Sequence, residues 1–265
     1  IDSDLKVGNF SFTVEDVNIP MMGLPIRVTR TYDTRRKHED LDFGFGWSVG
    51  YQDVKVEESR TPGEAWALNE YSAGPLGILS NYCVEPLGSP LVLVTLPTGD
   101  VEQFEVQASP RCNAYSPLLN VQLSFKPVGD TQSTLGLQGD SPLLRLTNSY
   151  LEILGDGQAY DPDQYELTTQ SGYIYYLDQN FGVTSIEGPN GQTLTYNDSG
   201  IHHSAGKSIL FTRDSEGRIE RVTDPAGNSY AYRFDGQGDL VEFEDPLNNI
   251  TEYDYNATHG LTEIR

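Results

Sequence analysis

Polar and apolar positions alternate most cleanly toward the C-terminal end of the chain, in short runs separated by turn residues. Tyr230, Tyr232 and Phe234 alternate with Ala231 and Arg233, a period of two that places three aromatics on one face of a β-strand. Asp235-Gly-Gln-Gly238 follows and supplies residues that tolerate the positive φ of a tight turn. A second run, Leu240 to Glu244, ends at Asp245-Pro246, because proline cannot donate to a ladder and pre-sets a turn dihedral. Each such unit predicts a β-hairpin. In the second strand the apolar positions stand three apart: Ile219 and Val222, Leu240 and Val241/Phe243, Leu261 and Ile264, Val183 and Ile186. Strict alternation would space them by two, so a bulge or twist is expected in each. Runs this short between Gly and Asp-Pro argue against a helix.

The hairpin pattern recurs with a period of 21. Gly206-Lys-Ser-Ile-Leu-Phe-Thr-Arg-Asp214 aligns with Gly227-Asn-Ser-Tyr-Ala-Tyr-Arg-Phe-Asp235 and with Asn248-Asn-Ile-Thr-Glu-Tyr-Asp-Tyr-Asn256. Asp214 and Asp235, Gly217 and Gly238, and Pro225 and Pro246 are each 21 apart. A fixed period in this range marks stacked copies of one supersecondary unit, none of which buries its apolar face alone. An older copy runs from Gly172-Tyr-Ile-Tyr-Tyr-Leu-Asp178 through Phe181-Gly182 to Gly191, with Gly188-Pro189 replacing Asp-Pro. Thr193 to Ile201 begins another unit, cut short by His202-His-Ser-Ala-Gly206, which reads as an irregular inter-repeat loop. On motif content the chain divides into an N-terminal β segment (1–106), a β-rich connecting segment (107–164) and a hairpin array (165–265). Tyr173, Tyr175, Phe211, Tyr230, Tyr232, Phe234, Tyr253 and Tyr255 are the expected repeat core, with aromatics stacking across neighbouring hairpins. Gly217, Asp224, Pro225, Gly227, Gly238, Asp245 and Pro246 are expected to set the turns.

Tyr232-Arg-Phe-Asp235, Gly238-Asp-Leu240 and Asp245-Pro246 resemble the YD repeats of Rhs-type proteins, a family that includes bacterial Rhs polymorphic toxins, insecticidal toxin-complex C components and teneurins. A second set lies at the other end. Val7-Gly-Asn-Phe10, Ile19-Pro20, Gly23-Leu-Pro25, Arg27-Val-Thr-Arg-Thr-Tyr-Asp33 and Phe43-Gly-Phe-Gly-Trp-Ser48 resemble the segment that opens an Rhs core. Leu96-Pro-Thr-Gly-Asp100 with Phe104 is similar to a hairpin found just after it. The stretch from about 107 to 165 matches poorly. The resemblance implies an all-β fold of repeated antiparallel hairpins in a curved, spiralling sheet, part of a hollow shell. In toxin systems that shell encloses a toxic domain; in teneurins it belongs to an adhesive ectodomain. The self-cleaving aspartate motif that ends many Rhs cores is missing here, since Asp224-Pro-Ala-Gly-Asn228 and Asp245-Pro-Leu-Asn-Asn249 read as ordinary repeat turns. The expected role is a non-catalytic, extracellular or cell-surface wall module. Its expected partners are further repeats of a longer chain or copies of itself, with an enclosed domain, a glycan or a cell-surface protein as further candidates. An adhesin that binds glycan or protein through exposed Tyr and acidic turns is the alternative.

Composition agrees with a turn-rich β protein. Among 265 residues there are 26 Gly, 15 Pro and 16 Tyr, and no stretch keeps helical periodicity over three turns. No run of eighteen apolar residues is present to span a membrane. The chain begins at Ile1 without a basic and apolar leader and stops inside a repeat at Ile264-Arg265, which suggests a fragment of a longer array or a sheet edge left for another copy. Net charge is −22, a surface that repels nucleic acid and favours solubility. It also makes Ca²⁺ a weak candidate ligand, although Asp156-Gly-Gln-Ala-Tyr-Asp161-Pro-Asp163 lacks EF-hand spacing. No cofactor is otherwise expected. Arg27, Arg30, Arg35, Arg36 and Lys37 crowd together and read as outward-facing strand residues followed by a solvated turn, with a binding patch for an acidic partner or for the protein's own acidic surface as the alternative.

Cys83 and Cys112 are an even pair; a disulfide and two buried free thiols both fit the sequence. Without CxxC or a nearby His they do not suggest zinc. Sequons begin at Asn9, Asn197, Asn249 and Asn256 and matter only in a glycosylating host. Gly46-Trp-Ser48-Val-Gly50 matches a nucleophile elbow by letter, but Tyr51-Gln-Asp-Val-Lys-Val56 alternates as a strand, where that motif requires a helix. His202 and His203 are adjacent, so on a strand they face opposite ways and are poorly placed to share one metal. With 39 acidic residues any glycosidase pair would be arbitrary. No active site is expected.

Overall fold

The computed structural model describes residues 9–74, 79–96, 99–114, 116–117 and 120–265. Val7-Gly8 of the opening motif and Pro97-Thr98 of the following hairpin lie outside the described residues. The protein is all β, built from antiparallel sheets. It forms two compact units. One joins 1–53 to 187–265, and the other is 54–186. These units cut across the segments 1–106, 107–164 and 165–265, which followed motif content along the chain and not packing in space.

In the first unit, Ser11–Ile19 (β1), Ile26–Asp33 (β2), the short pair Asp40–Leu41 (β3) and Gly44–Phe45 (β4), and Trp47–Val49 (β5) come from the N-terminal segment. β1, β2 and β5 form one sheet in that order. β2 alternates from Ile26 to Tyr32: Ile26, Val28, Arg30 and Tyr32 are all buried, and Arg27 is exposed. β1 carries a bulge, because Glu15 pairs with Thr29 and Val17 with Val28, leaving Asp16 as the extra residue. The bulge lets Asp16 and Val17 point to the same side.

The second unit contains Lys55–Glu58 (β6), Trp66–Ala73 (β7), Leu79–Pro86 (β8), Leu91–Thr95 (β9), Val101–Ser109 (β10), Cys112–Ala114 (β11), Asn120–Val128 (β12), Thr134–Leu137 (β13), Leu144–Thr147 (β14), Tyr150–Ile153 (β15), Gln164–Thr168 (β16), Ile174–Asp178 (β17) and Gly182–Glu187 (β18). Six of them form a sheet in the order β15-β14-β12-β10-β9-β6, three form β11-β8-β7, and β13, β16, β17 and β18 follow one another in a third. Its core includes Trp66, Phe104, Leu144, Leu151, Tyr165 and Leu167, each no more than 1% exposed. Cys83 and Cys112 sit opposite one another on β8 and β11 and are joined by a disulfide.

The chain then returns to the first unit with Thr193–Asn197 (β19), Gly200–His203 (β20), Ser208–Arg213 (β21), Ile219–Thr223 (β22), Ser229–Phe234 (β23), Leu240–Glu244 (β24), Ile250–Tyr255 (β25) and Leu261–Ile264 (β26), each strand bonded to the next. The expected bulge is present in three successive hairpins. Arg221 and Ile219 pair with Thr212 and Arg213, Glu242 and Leu240 with Arg233 and Phe234, and Glu263 and Leu261 with Asp254 and Tyr255. The skipped residues Glu220, Val241 and Thr262 recur at the repeat period, so the three-residue apolar spacing and the bulge are the same feature.

Two expectations are corrected here. Gly50–Gln52 is a 3₁₀ turn and the next strand starts only at Lys55, so Tyr51 to Val56 is not one continuous strand. Residues 202–206 are not an irregular loop: His203 ends β20 and opens a regular turn to β21.

Candidate functional site

Five hairpin turns of the array share one hydrogen-bonded frame, led by Asp214, Asp224, Asp235, Asp245 and Asn256. In each, the leading residue's N–H donates to the carbonyl four residues on, and its own carbonyl accepts from the residue three on. Its Oδ1 accepts two further backbone N–H groups, from the second and fourth residues on, at 2.8–3.0 Å. This is the three-residue hairpin loop whose last residue is left-handed. Gly217, Gly227 and Gly238 take that place with φ of 91°, 87° and 90°, and Asn248 and His259 take it in the other two. Pro225 and Pro246 follow their aspartates, where a fixed φ suits the turn. Asn228 and Asn249 donate to the second carboxylate oxygen of Asp224 and Asp245. Asp224 is thereby held below the usual carboxylate range in spite of its burial, and Asp245 is lowered chiefly by Asn249. His203 plays the aspartate's part in its own turn, its Nδ1 accepting from Ala205 N–H at 2.9 Å.

The array's inner face is covered by the N-terminal strands, and the centre of that contact is a buried ion pair. The Arg30 side chain is 1% exposed and that of Asp16 is fully enclosed. Arg30 Nε donates to Asp16 Oδ2 at 2.7 Å, and Arg30 Nη2 donates to the Tyr253 hydroxyl at 2.8 Å. The Tyr232 hydroxyl donates to the same Asp16 oxygen at 2.8 Å. Four rings surround the guanidinium, with centroids at 4.7 Å for Phe243, 4.9 Å for Trp47, 5.2 Å for Tyr253 and 5.7 Å for Tyr232. The aromatic faces and the carboxylate together offset the loss of hydration. Burial opposes the Arg30 charge, but Asp16 and the tyrosines outweigh it and its pKa is raised. Burial raises the Asp16 pKa against the pull of Arg30.

Smaller contacts surround this pair. Trp47 Nε1 donates to the Tyr255 hydroxyl, which donates to Leu240 O. The Tyr32 hydroxyl donates to His259 O and accepts from Leu261 N–H. Arg213 is paired with Asp42, and Ile219 N–H donates to Asp42 O at 2.7 Å. Phe45 stacks on His259 at 3.9 Å, and His259 Nδ1 faces the buried Asp239 at 3.0 Å. Gly44 and Gly238 touch back to back: a Cβ on Gly44 would lie 2.4 Å from Gly238 O.

The expected core residues are distributed unevenly. Tyr232 and Tyr253 are 3% exposed and Phe211 is 9% exposed; Tyr173, Tyr175, Tyr230, Phe234 and Tyr255 are half-buried. The expectation of stacking across neighbouring hairpins is corrected here: Tyr230 and Tyr232 meet Phe243 within the single hairpin of β23 and β24, at 6.5 Å and 5.2 Å between ring centroids. Other rings meet the N-terminal segment instead, at Tyr232–Phe43, Tyr253–Trp47 and Tyr255–Tyr32. Phe234 lies beneath the Arg218 guanidinium at 4.6 Å. Arg30 corrects the reading of the basic cluster as outward-facing. Its place in the alternation with Val28 and Tyr32 was the signal that it turns inward, whereas Asp16 is aimed by a bulge that no pattern announced.

The enzyme-like motifs find structural employment. Ser48 is buried and donates to Asp53 Oδ1 at 2.5 Å. His202 bonds with Ser199 and Ser208, on the opposite face from His203. Among the described residues no group of three or more His, Cys, Asp or Glu side chains is disposed to hold a metal ion, and no helix is long and apolar enough to cross a membrane.

Residues 213–244, three strands and the turns that lead them, match the family described as RHS Repeat. Residues 4–69, which include the strands that carry Asp16, Arg30 and Trp47, match a domain of unknown function, DUF6531. Together the two matches support an Rhs/YD-repeat family protein over the stretches they cover. No curated protein matches it. Rhs repeats are generally structural and occur in extracellular or cell-surface proteins, with further repeats in a longer chain.

Proposed function

We propose that this Rhs/YD-repeat chain is a non-catalytic, extracellular structural module, one segment of a β-shell wall or of a self-associating surface assembly. The observation that carries this reading is the arrangement around Arg30. A run of hairpins with one turn chemistry has its aromatic inner face closed by the N-terminal strands, through a cation held among four rings. Such a core commits its rings and its ion pair to packing and rigidity. Turns that specify themselves locally suit an array that grows by repetition.

Electron microscopy of the 265-residue chain, beside a form carrying further repeats, tests the proposal. Ordered rings or filaments from the short chain support self-assembly through sheet edges. Compact single particles that become a hollow shell only with added repeats support the wall of an enclosure. Absence of both would overturn the structural role. The adhesin-like alternative is favoured by one feature, a polar cleft beside a half-exposed tyrosine in residues 54–186.

A further inference from the structure

Tyr71, on β7, is 48% exposed, yet its hydroxyl is fixed by donation to Glu85 Oε2 at 2.7 Å. Glu85 also accepts from Asn69 Nδ2 at 2.6 Å and from Arg111 Nε at 3.0 Å. These donors, Tyr71 first, hold the Glu85 carboxyl down at about 2, so the network keeps its charges at any physiological pH. On the adjoining strands Gln107 Nε2 donates to Glu105 Oε2 at 2.9 Å, and Lys126 stands opposite Glu105 in the ladder. Tyr71, Glu85, Arg111, Glu105, Gln107 and Lys126 line one cleft of about 470 Å³, within the size range of small-molecule sites, roughly 300–1,000 Å³.

We infer that this cleft binds a saccharide, and that its preferred ligand is an oligosaccharide bearing uronic acid. One ring anchored at its hydroxyl offers an apolar platform for a pyranose, and the fixed amide, carboxylates and guanidinium suit ring hydroxyls. An apolar ligand would strand these polar groups, which is costly. The carboxylate is assigned to the end held by Lys126 and Arg111, since the chain carries only 17 basic residues against 39 acidic ones and two of them meet here. Glu85 already partners Arg111, which leaves Lys126 as the main counter-charge. The inference goes beyond the wall reading and does not depend on it, because a wall segment retains its fold whether or not the cleft is filled.

Isothermal titration calorimetry of the full chain with tri-galacturonate, and with its neutral methyl ester, is the test. The acid is expected to bind and the ester to bind more weakly. Tyr71→Ala and Lys126→Ala are each expected to weaken the acid at least about fivefold, the scale of one lost ring or ion contact, with an unchanged melting temperature. If Tyr71→Ala does not fold, Lys126→Ala decides alone. No heat with tri-galacturonate, or wild-type affinity in the folded variants, overturns the site; equal binding of the ester overturns the carboxylate assignment.

Discussion

The hairpin array and the unit of residues 54–186 are both antiparallel β-structure, but they are specified in different ways. From Ser208 onward every turn closes on its own leading Asp or Asn, within five residues. The register of each hairpin is therefore written locally. The 54–186 unit relies on long-range ties. Cys83 and Cys112 are 29 residues apart, and the Tyr165 hydroxyl donates to Glu58 from 107 residues away. Local turn chemistry fixes register; it does not supply a core. The array obtains that from the N-terminal strands, through Arg30 and Asp16.

If that account is right, the largest loss comes from breaking the buried pair. Arg30→Ala should cost about 3–5 kcal/mol, the scale for leaving one buried charge unpaired, measured by urea unfolding. Arg30→Met combined with Asp16→Leu should recover most of it. Tyr232→Ala should also cost roughly 3–5 kcal/mol; a neutral Tyr232→Ala would break the packed-hairpin picture. In the other unit, replacing Cys83 and Cys112, 29 residues apart, with Ser should cost about 3.6 kcal/mol by the chain-entropy model. Hydrogen exchange should accelerate first in β11, which is only three residues long.

A finer test separates turn conformation from docking. Gly217→Ala meets no neighbour within 4 Å and suffers only from its φ of 91°, a penalty of about 1–2 kcal/mol. Gly238→Ala has the same φ problem, and its Cβ would also lie 2.9 Å from Arg218 Nη1 and 3.2 Å from the Phe45 ring. It should lower the melting temperature more than Gly217→Ala, and equal effects would remove Gly238 from the docked contact.

A further effect is a pH dependence. Burial pushes the Glu58 carboxyl up to about 7, and Asp161 and Asp163 add to the rise while Tyr165 opposes it. The folded protein then holds this proton more tightly than the unfolded chain. The Glu58 contribution is complete below about 4.5, its ordinary value, and is lost as pH rises through about 7. Glu58→Gln should flatten that part of the stability profile, whereas an unchanged profile would show that Glu58 is ionised in the fold.

The period of 21, the turn residues, the bulged second strand and the all-β class were legible in the residues alone. Each depends on φ preference, proline geometry or alternation within a few positions. The inward placement of Arg30 was legible in principle, from Ile26, Val28 and Tyr32 around it, but a cluster of five basic residues suggested solvent. The turn at His203 hid because an imidazole nitrogen replaced a carboxylate oxygen as acceptor. What only the tertiary structure decided was the partner of each buried group. Asp16 reaches Arg30 through a bulge, and Tyr232 and Tyr253 meet residues more than 200 positions away in the chain. Such pairings depend on which surfaces exclude water together, and local pattern carries no record of distance across the sheet.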